Sequence, residues 1–161
     1  MLKDLAESLE RRVRRELSGL REVAERDAGV RPAPGKWSQK EELGHLIDSA
    51  TNNHVRFVLA SLEPEFRGPG YQQNGWVSLH AYNEMAWSDL VGFWERYNLF
   101  LARLIRLIPS NALGHKCIVS PNQPVTLEFL IEDYILHMQH HLDHILKREV
   151  ITQYPGAAIA V

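Results

Sequence analysis

Four stretches with apolar residues at spacings of three and four, separated by proline and glycine, most constrain what this chain can fold into. The first, over residues 2–27, carries Leu2, Leu5, Leu9, Val13, Leu17, Leu20 and Ala24 with charges between them, the pattern of a helix with one buried face. Gly29, Pro32, Pro34 and Gly35 close it. The second, over residues 38–62, opens with Ser38 and Glu41 in the S-x-x-E form of a capping box and stops before Pro64. The third, over residues 88–108, follows Ser88 as a candidate cap, carries Leu90, Trp94, Leu101 and Ile105 on one face, and stops at Pro109. The fourth starts at Thr126, again a capping residue, and extends over residues 126–149. No strand-like alternation competes, so the expected class is all-α, a four-helix bundle.

The connections are as informative as the helices. Residues 63–87 contain Pro64, Gly68, Pro69, Gly70 and Gly75 among Tyr71, Trp76, His80, Tyr82 and Trp87. A linker this long and this aromatic is expected to fold as a crossover packed over one end of the bundle, with a short helix near 77–85. At 161 residues the chain suits one domain spanning 1–161. A formal net charge of −2 gives no electrostatic reason to expect nucleic acid or an anionic membrane as partner. The basic run Arg11, Arg12, Arg14 and Arg15 is interrupted by Val13 and flanked by Glu7, Glu10 and Glu16, which reads as a solvated helix face. A single cysteine, Cys117, excludes an internal disulfide, and no apolar stretch is long enough to span a bilayer. Those two observations lead to a cytoplasmic expectation. The apolar tail 156–161 is too short to assign.

Half of the eight histidines fall in eight residues: His137, His140, His141 and His144. At about 100° per residue, with His137 at zero, His141 lies near +40°, His144 near −20° and His140 near −60°. The apolar stripe of the same helix centres near +90°. His137 and His141 therefore border the stripe, whereas His140 shares its direction with Asp133 and Lys147 and is expected to face water. An i, i+4 pair of imidazoles can close on one metal ion, but a metal needs a third protein ligand. The alternative is an ordinary half-buried helix face. Helix two offers His45 and His54. His54 lies on its apolar side, whereas His45, Asp48, Ser49 and Asn52 form a polar stripe. That stripe is either a solvated site, with Asp48 holding the second ring nitrogen of His45, or simply the outer face of the helix, and spacing leaves both open.

The string from Pro34 and Gly35 through Trp37, Ser38, Glu41, Glu42, His45, Asp48 and Ser49 to Asn52, Asn53 and His54, followed by H-x-x-H-H at 137–141, resembles the DinB-like (DinB/YfiT-like) superfamily. The resemblance implies a four-helix bundle of up-down-down-up topology, with a long crossover between helices two and three. It also implies a divalent metal ion, zinc or nickel, held by one histidine of helix two and two of the last helix. In this chain those are His45, His137 and His141. Asp48, Asn52, Tyr134 and His144 are then expected to orient ligands or line the pocket. His144 marks a departure, because the superfamily often reads Arg-Gly-Gln after the last ligand where this chain has Leu142, Asp143 and His144.

Three neutral imidazoles leave a position open for water or substrate, so the expected function is a metal-dependent enzyme of thiol-transferase or hydrolase type acting on a small molecule. The sequence supplies no separate nucleophile or general base. The competing expectation is accordingly a non-catalytic metal- or ligand-binding bundle that acts through self-association, as a homodimer. Free histidine titrates near pH ~6.5, so metal uptake is expected to weaken below about pH 6.

Overall fold

The computed structural model describes residues 2–150 and residue 152; the tail 153–161 lies outside the described residues. In chain order the elements are α1 (Leu2–Glu22), α2 (Glu25–Ala28), α3 (Gln39–Leu62), β1 (Glu65–Pro69), α4 (Gln73–His80), α5 (Trp87–Leu107), β2 (Lys116–Ser120), β3 (Val125–Thr126) and α6 (Leu127–Ile145). Short 3-10 turns at Tyr82–Glu84 and Ser110–Gly114 precede α5 and β2.

Side-chain pairs fix the directions of the four long helices. Arg106 near the end of α5 meets Glu10 near the start of α1, and Arg21 meets Glu95, so these two run antiparallel. Arg15 meets Gln139, and Gly19 packs on Leu146, so α1 and α6 run parallel. His45, early in α3, lies beside His141, late in α6. The topology is therefore up-down-down-up, and the parallel pair α3 and α5 obliges residues 63–86 to climb back along the bundle. They do so against α3. Gly44 is required there, since a Cβ at that position would fall 2.0 Å from the Tyr82 ring.

The capping box forms as expected, with Glu41 N donating to Ser38 Oγ at 3.1 Å and Ser38 N to Glu41 Oε2 at 2.9 Å. Thr126 caps α6 through Phe129 N at 3.1 Å. Ser88 does not cap α5. That helix starts one residue earlier, after Ala86, and its first amide, Trp87 N, donates to Glu25 Oε2 at 2.7 Å. The same Glu25 binds Lys40, which explains why the first helical stretch breaks after Glu22 and turns again as α2. Helix α6 ends at Ile145, short of 149, because Lys147 adopts a left-handed φ of 52° and Arg148 N folds back to Asp143 O at 3.1 Å. The crossover helix lies at 73–80, a few residues before its expected place.

No strand-like alternation marks these segments, yet β1 pairs in parallel with β2, and β2 in antiparallel with β3. This small sheet buries Phe66, Cys117 and Val119 at the foot of the bundle, and burial pushes the Cys117 thiol up to about 11, which makes it unreactive at neutral pH. The basic run of α1 is only partly solvated: Arg14 pairs with Glu10, but Arg12 and Arg15 both donate to Gln139 Oε1 of α6, at 3.0 and 2.8 Å. Among the described residues no helix is long and apolar enough to cross a membrane.

Candidate metal centre

The capping box starts α3 just before His45, so the helix carries that ring inward, towards α6, where it is fully buried. Trp37, immediately before the cap, lies against it with ring centres 4.9 Å apart. On α6, His137 and His141 are one turn apart, with ring centres separated by 4.6 Å. His45 Nε2 stands 3.2 Å from His137 Nε2, and the His141 ring centre is 4.8 Å from that of His45. One nitrogen from each of the three lies within 4.8 Å of the other two. Four ligands arranged tetrahedrally at 2.0–2.1 Å from an ion are about 3.3–3.4 Å apart. The His45–His137 pair already has about that separation, and the His141 nitrogen lies within 4.8 Å of both.

Each ring is held differently. His141 Nδ1 donates to Glu42 Oε1 at 2.8 Å, which leaves Nε2 as the lone-pair nitrogen facing the other two rings. Ser49 Oγ lies 3.5 Å from His137 Nδ1 and leaves Nε2 of that ring facing His45. His45 is positioned by packing on Trp37; its Nδ1 is buried with no hydrogen-bond partner among the described residues. Burial pushes His45 down to about 3, with the nearby His141 adding to the effect, and holds His137 well below the ordinary histidine range. Both rings are therefore neutral at pH 7, as ligation requires. The donor set and its protonation fit a divalent ion.

The other expected residues are distributed more widely. Asp48 gives no hydrogen bond to His45; its Oδ1 accepts from Tyr82 OH at 2.6 Å and His80 Nδ1 at 2.9 Å, both from the crossover. Asn52 spends its Nδ2 on the Asp48 carbonyl of its own helix. Tyr134 is buried in the core, with its hydroxyl on Asn98 of α5 and its ring against Phe57. His54 turns towards α5, with Nδ1 3.1 Å from Tyr97 OH. His140 is half-buried rather than solvated, packed on His144 at 4.5 Å, and Asp133, expected to face water beside it, is buried. Burial raises the Asp133 carboxyl to about 6 against the pull of Arg56. His144 sits beside Glu42, 3.4 Å from its Oε1. The sequence motif assigns no role to Trp37 or Glu42, although Glu42 stands three residues before His45, the spacing that puts two side chains on one helix face.

A groove of about 870 Å³ opens beside the cluster, lined by Trp37, Glu42, His144, Lys36, Lys147 and Asn74 among others. Trp37 and Glu42 are the residues that touch His45 and His141 directly. The groove therefore reaches the outer edge of the three-histidine group.

A family model described as the DinB superfamily matches residues 8–145. Among solved structures, YfiT from Bacillus subtilis, described as a probable metal-dependent hydrolase with an unusual four-helix bundle topology, is similar with a TM-score of 0.77 and 20% identity, over 91% of this chain and 84% of that one. The mycothiol-dependent maleylpyruvate isomerase is similar with a TM-score of 0.70 and 12% identity, over 97% of this chain and 64% of that one. At these identities the likenesses speak for the fold. No protein of curated function matches the chain.

Proposed function

Because this chain belongs to the DinB superfamily, we propose that it is a divalent-metal-dependent enzyme of thiol-transferase or hydrolase type, acting on a small molecule at the open side of His45, His137 and His141. The observation that carries this reading is the convergence of three ring nitrogens, from two antiparallel helices, within 4.8 Å of one another. The descriptions of the two similar structures, one a metal-dependent hydrolase and one a thiol-dependent enzyme, support the two reaction types. A divalent ion held by three neutral imidazoles, for which zinc and nickel are suited, keeps its full charge and so favours an anionic partner in the open position, a thiolate or a deprotonated water.

The chain's own residues supply the rest. Glu42 fixes the tautomer and orientation of His141, Ser49 lies beside Nδ1 of His137, and the Trp37 ring shields His45 from water. The groove beside Trp37 and Glu42 admits the substrate. The test is a pair of assays on purified protein, thiol transfer to an electrophilic small molecule and hydrolysis of ester and amide panels, each with and without a chelator. The expected result is turnover in one assay that chelation abolishes, zinc or nickel restores, and His45→Ala removes. Turnover that survives both chelation and His45→Ala would contradict the proposal.

We also propose that the chain forms a homodimer. The supporting observation is two rows of exposed apolar side chains at helical spacing, Val55, Leu59 and Leu62 on α3 and Phe93, Phe100 and Leu107 on α5. Sedimentation should give twice the monomer mass, falling to one on Leu59→Glu with Phe100→Glu. A metal-bound dimer without turnover in either assay would favour a non-catalytic bundle.

A further inference from the structure

Beyond the inner cluster, a second group of metal-ligating atoms reaches the surface. Glu42, His141 and His144 each offer one ligand atom, all within 4.8 Å of one another. Glu42 Oε1 lies 2.8 Å from His141 Nδ1 and 3.4 Å from His144 Nδ1. This layer is graded in exposure: the side chains of Glu42 and His141 are 16% and 17% exposed, and that of His144 is 46% exposed, lining the groove. His45 and His137 behind it are buried. His141 belongs to both groups, with Nδ1 turned outward to Glu42 and Nε2 left for the inner rings.

Two imidazoles and a carboxylate are a sufficient donor set for zinc, nickel, cobalt or ferrous ions. If Glu42 served only to orient His141, one imidazole on its carboxylate would suffice. Here a second ring, His144, converges on the same oxygen. Glu42 and His144 line the groove, and His141 joins them to the buried pair. We propose that Glu42, His141 and His144 form an outer cation site, which captures a zinc-class divalent ion from the groove and passes it inward through His141. The capture stands on the outer residues alone, whereas the transfer rests on the metal-site reading above. Lys36 and Lys147 line the same groove as Asp27 and Glu42, so its formal charges balance, and the outer site, with His144 half exposed to water, holds the ion more weakly than the buried one.

The experiment uses apo-protein and cobalt as the spectroscopic probe. His45→Ala disables the inner group and leaves the outer residues in place. This variant should still bind one cobalt ion, more weakly than the wild type, and adding His144→Ala should lower that affinity by at least about tenfold, the loss expected when one of three ligands goes. In the protein with all three inner histidines, His144→Ala should slow zinc uptake by about tenfold or more, while the final affinity changes by less than about threefold. The uptake comparison decides alone if His45→Ala fails to fold, because His144 is half exposed and its loss leaves the core intact. Cobalt affinity in the His45→Ala background that is indifferent to His144, or zinc uptake at the wild-type rate without His144, would overturn the proposal. Failure of the inner site would look different: wild type and His45→Ala would bind cobalt equally, and the effect of His144→Ala would still be read in both.

Discussion

The seam between α1 and α5 and the seam between α3 and α6 are both buried but are built from opposite chemistry. Leu9, Val13 and Leu20 of α1 meet Leu90, Trp94 and Leu101 of α5, all fully buried and apolar. Along the other seam the apolar contact of Phe57 with Tyr134 is joined by a row of buried polar residues, His45, Ser49, Asn53 and Arg56 of α3 with Asp133 and His137 of α6. Apolar side chains stabilise the fold by roughly 1.5–3 kcal/mol each when buried, whereas buried polar groups cost free energy unless partnered. His45 Nδ1, Asn53 Oδ1, Arg56 Nη1 and Asp133 Oδ2 have no hydrogen-bond partner among the described residues. Trp94 Nε1 of α5 and Arg12 Nε of α1 also lack a partner among the described residues, so it is the buried imidazoles, not the orphaned atoms alone, that mark the second seam as a place for a ligand. The first seam holds the bundle together, and the second uses that stability to keep reactive groups dry and neutral.

The contrast is sharpest in single substitutions. Trp94→Ala empties the centre of the apolar seam and should cost about 3–5 kcal/mol of unfolding free energy, read by chemical denaturation, with little change in metal affinity of the folded protein. His45→Ala should do the reverse, lowering metal affinity by more than about a hundredfold while changing apo-protein stability by only about 1 kcal/mol, since the ring lost is a poorly satisfied buried polar group. Comparable stability losses from the two would break the comparison. Glu42→Gln keeps the shape but weakens the grip on His141, and should reduce metal affinity by about 10–100-fold in calorimetric titration.

Acidity separates the seams as well. The folded pKa of His45 is about 3, against ~6.5 unfolded, so between those values the unfolded chain binds more protons. Apo-protein stability should therefore fall as pH drops from about 6.5 towards 3, and His137, lowered in the same direction, adds to the loss. Asp133 opposes this over part of the window: raised to about 6, it contributes stability that is present below its unfolded pKa of about 3.9 and lost as pH rises through 6. Denaturation midpoints across pH should show a net acid loss that His45→Ala makes shallower; an unchanged slope would mean that the ring is not held neutral by burial. Metal uptake should also persist below the pH 6 suggested by free histidine. The smallest effect is expected from His140→Ala, which belongs to neither ligand group and should alter metal affinity by no more than the ~0.5 kcal/mol typical of a surface change.

Much of the apolar seam was legible in the sequence because spacing and burial agree there: Leu9, Val13 and Leu20 repeat at helical intervals and point inward. The polar seam was not, because a helix wheel equates polar with exposed. His45, Asp48, Ser49 and Asn52 therefore read equally as a solvated site or an outer face, and Asp133 as solvated, although His45, Asp48, Ser49 and Asp133 are buried. The local signals at Ser38 and Thr126 sufficed for two helix starts, since each cap lies within three residues of its amide. The start of α5 depends on Glu25, 62 residues away, and no local pattern reports that. Asp48 was assigned to His45 for the same reason; its partners, Tyr82 and His80, come from the crossover. Strands of two and five residues are too short to show alternation.

We propose that the buried α3–α6 seam binds a metal ion with His45 as its third ligand. Anomalous diffraction from crystals grown with zinc tests it directly. One ion should lie about 2.0–2.1 Å from a ring nitrogen of each of His45, His137 and His141, with a fourth position open towards the groove. An ion bound without His45, or no ion on this seam at saturating zinc, would contradict the account.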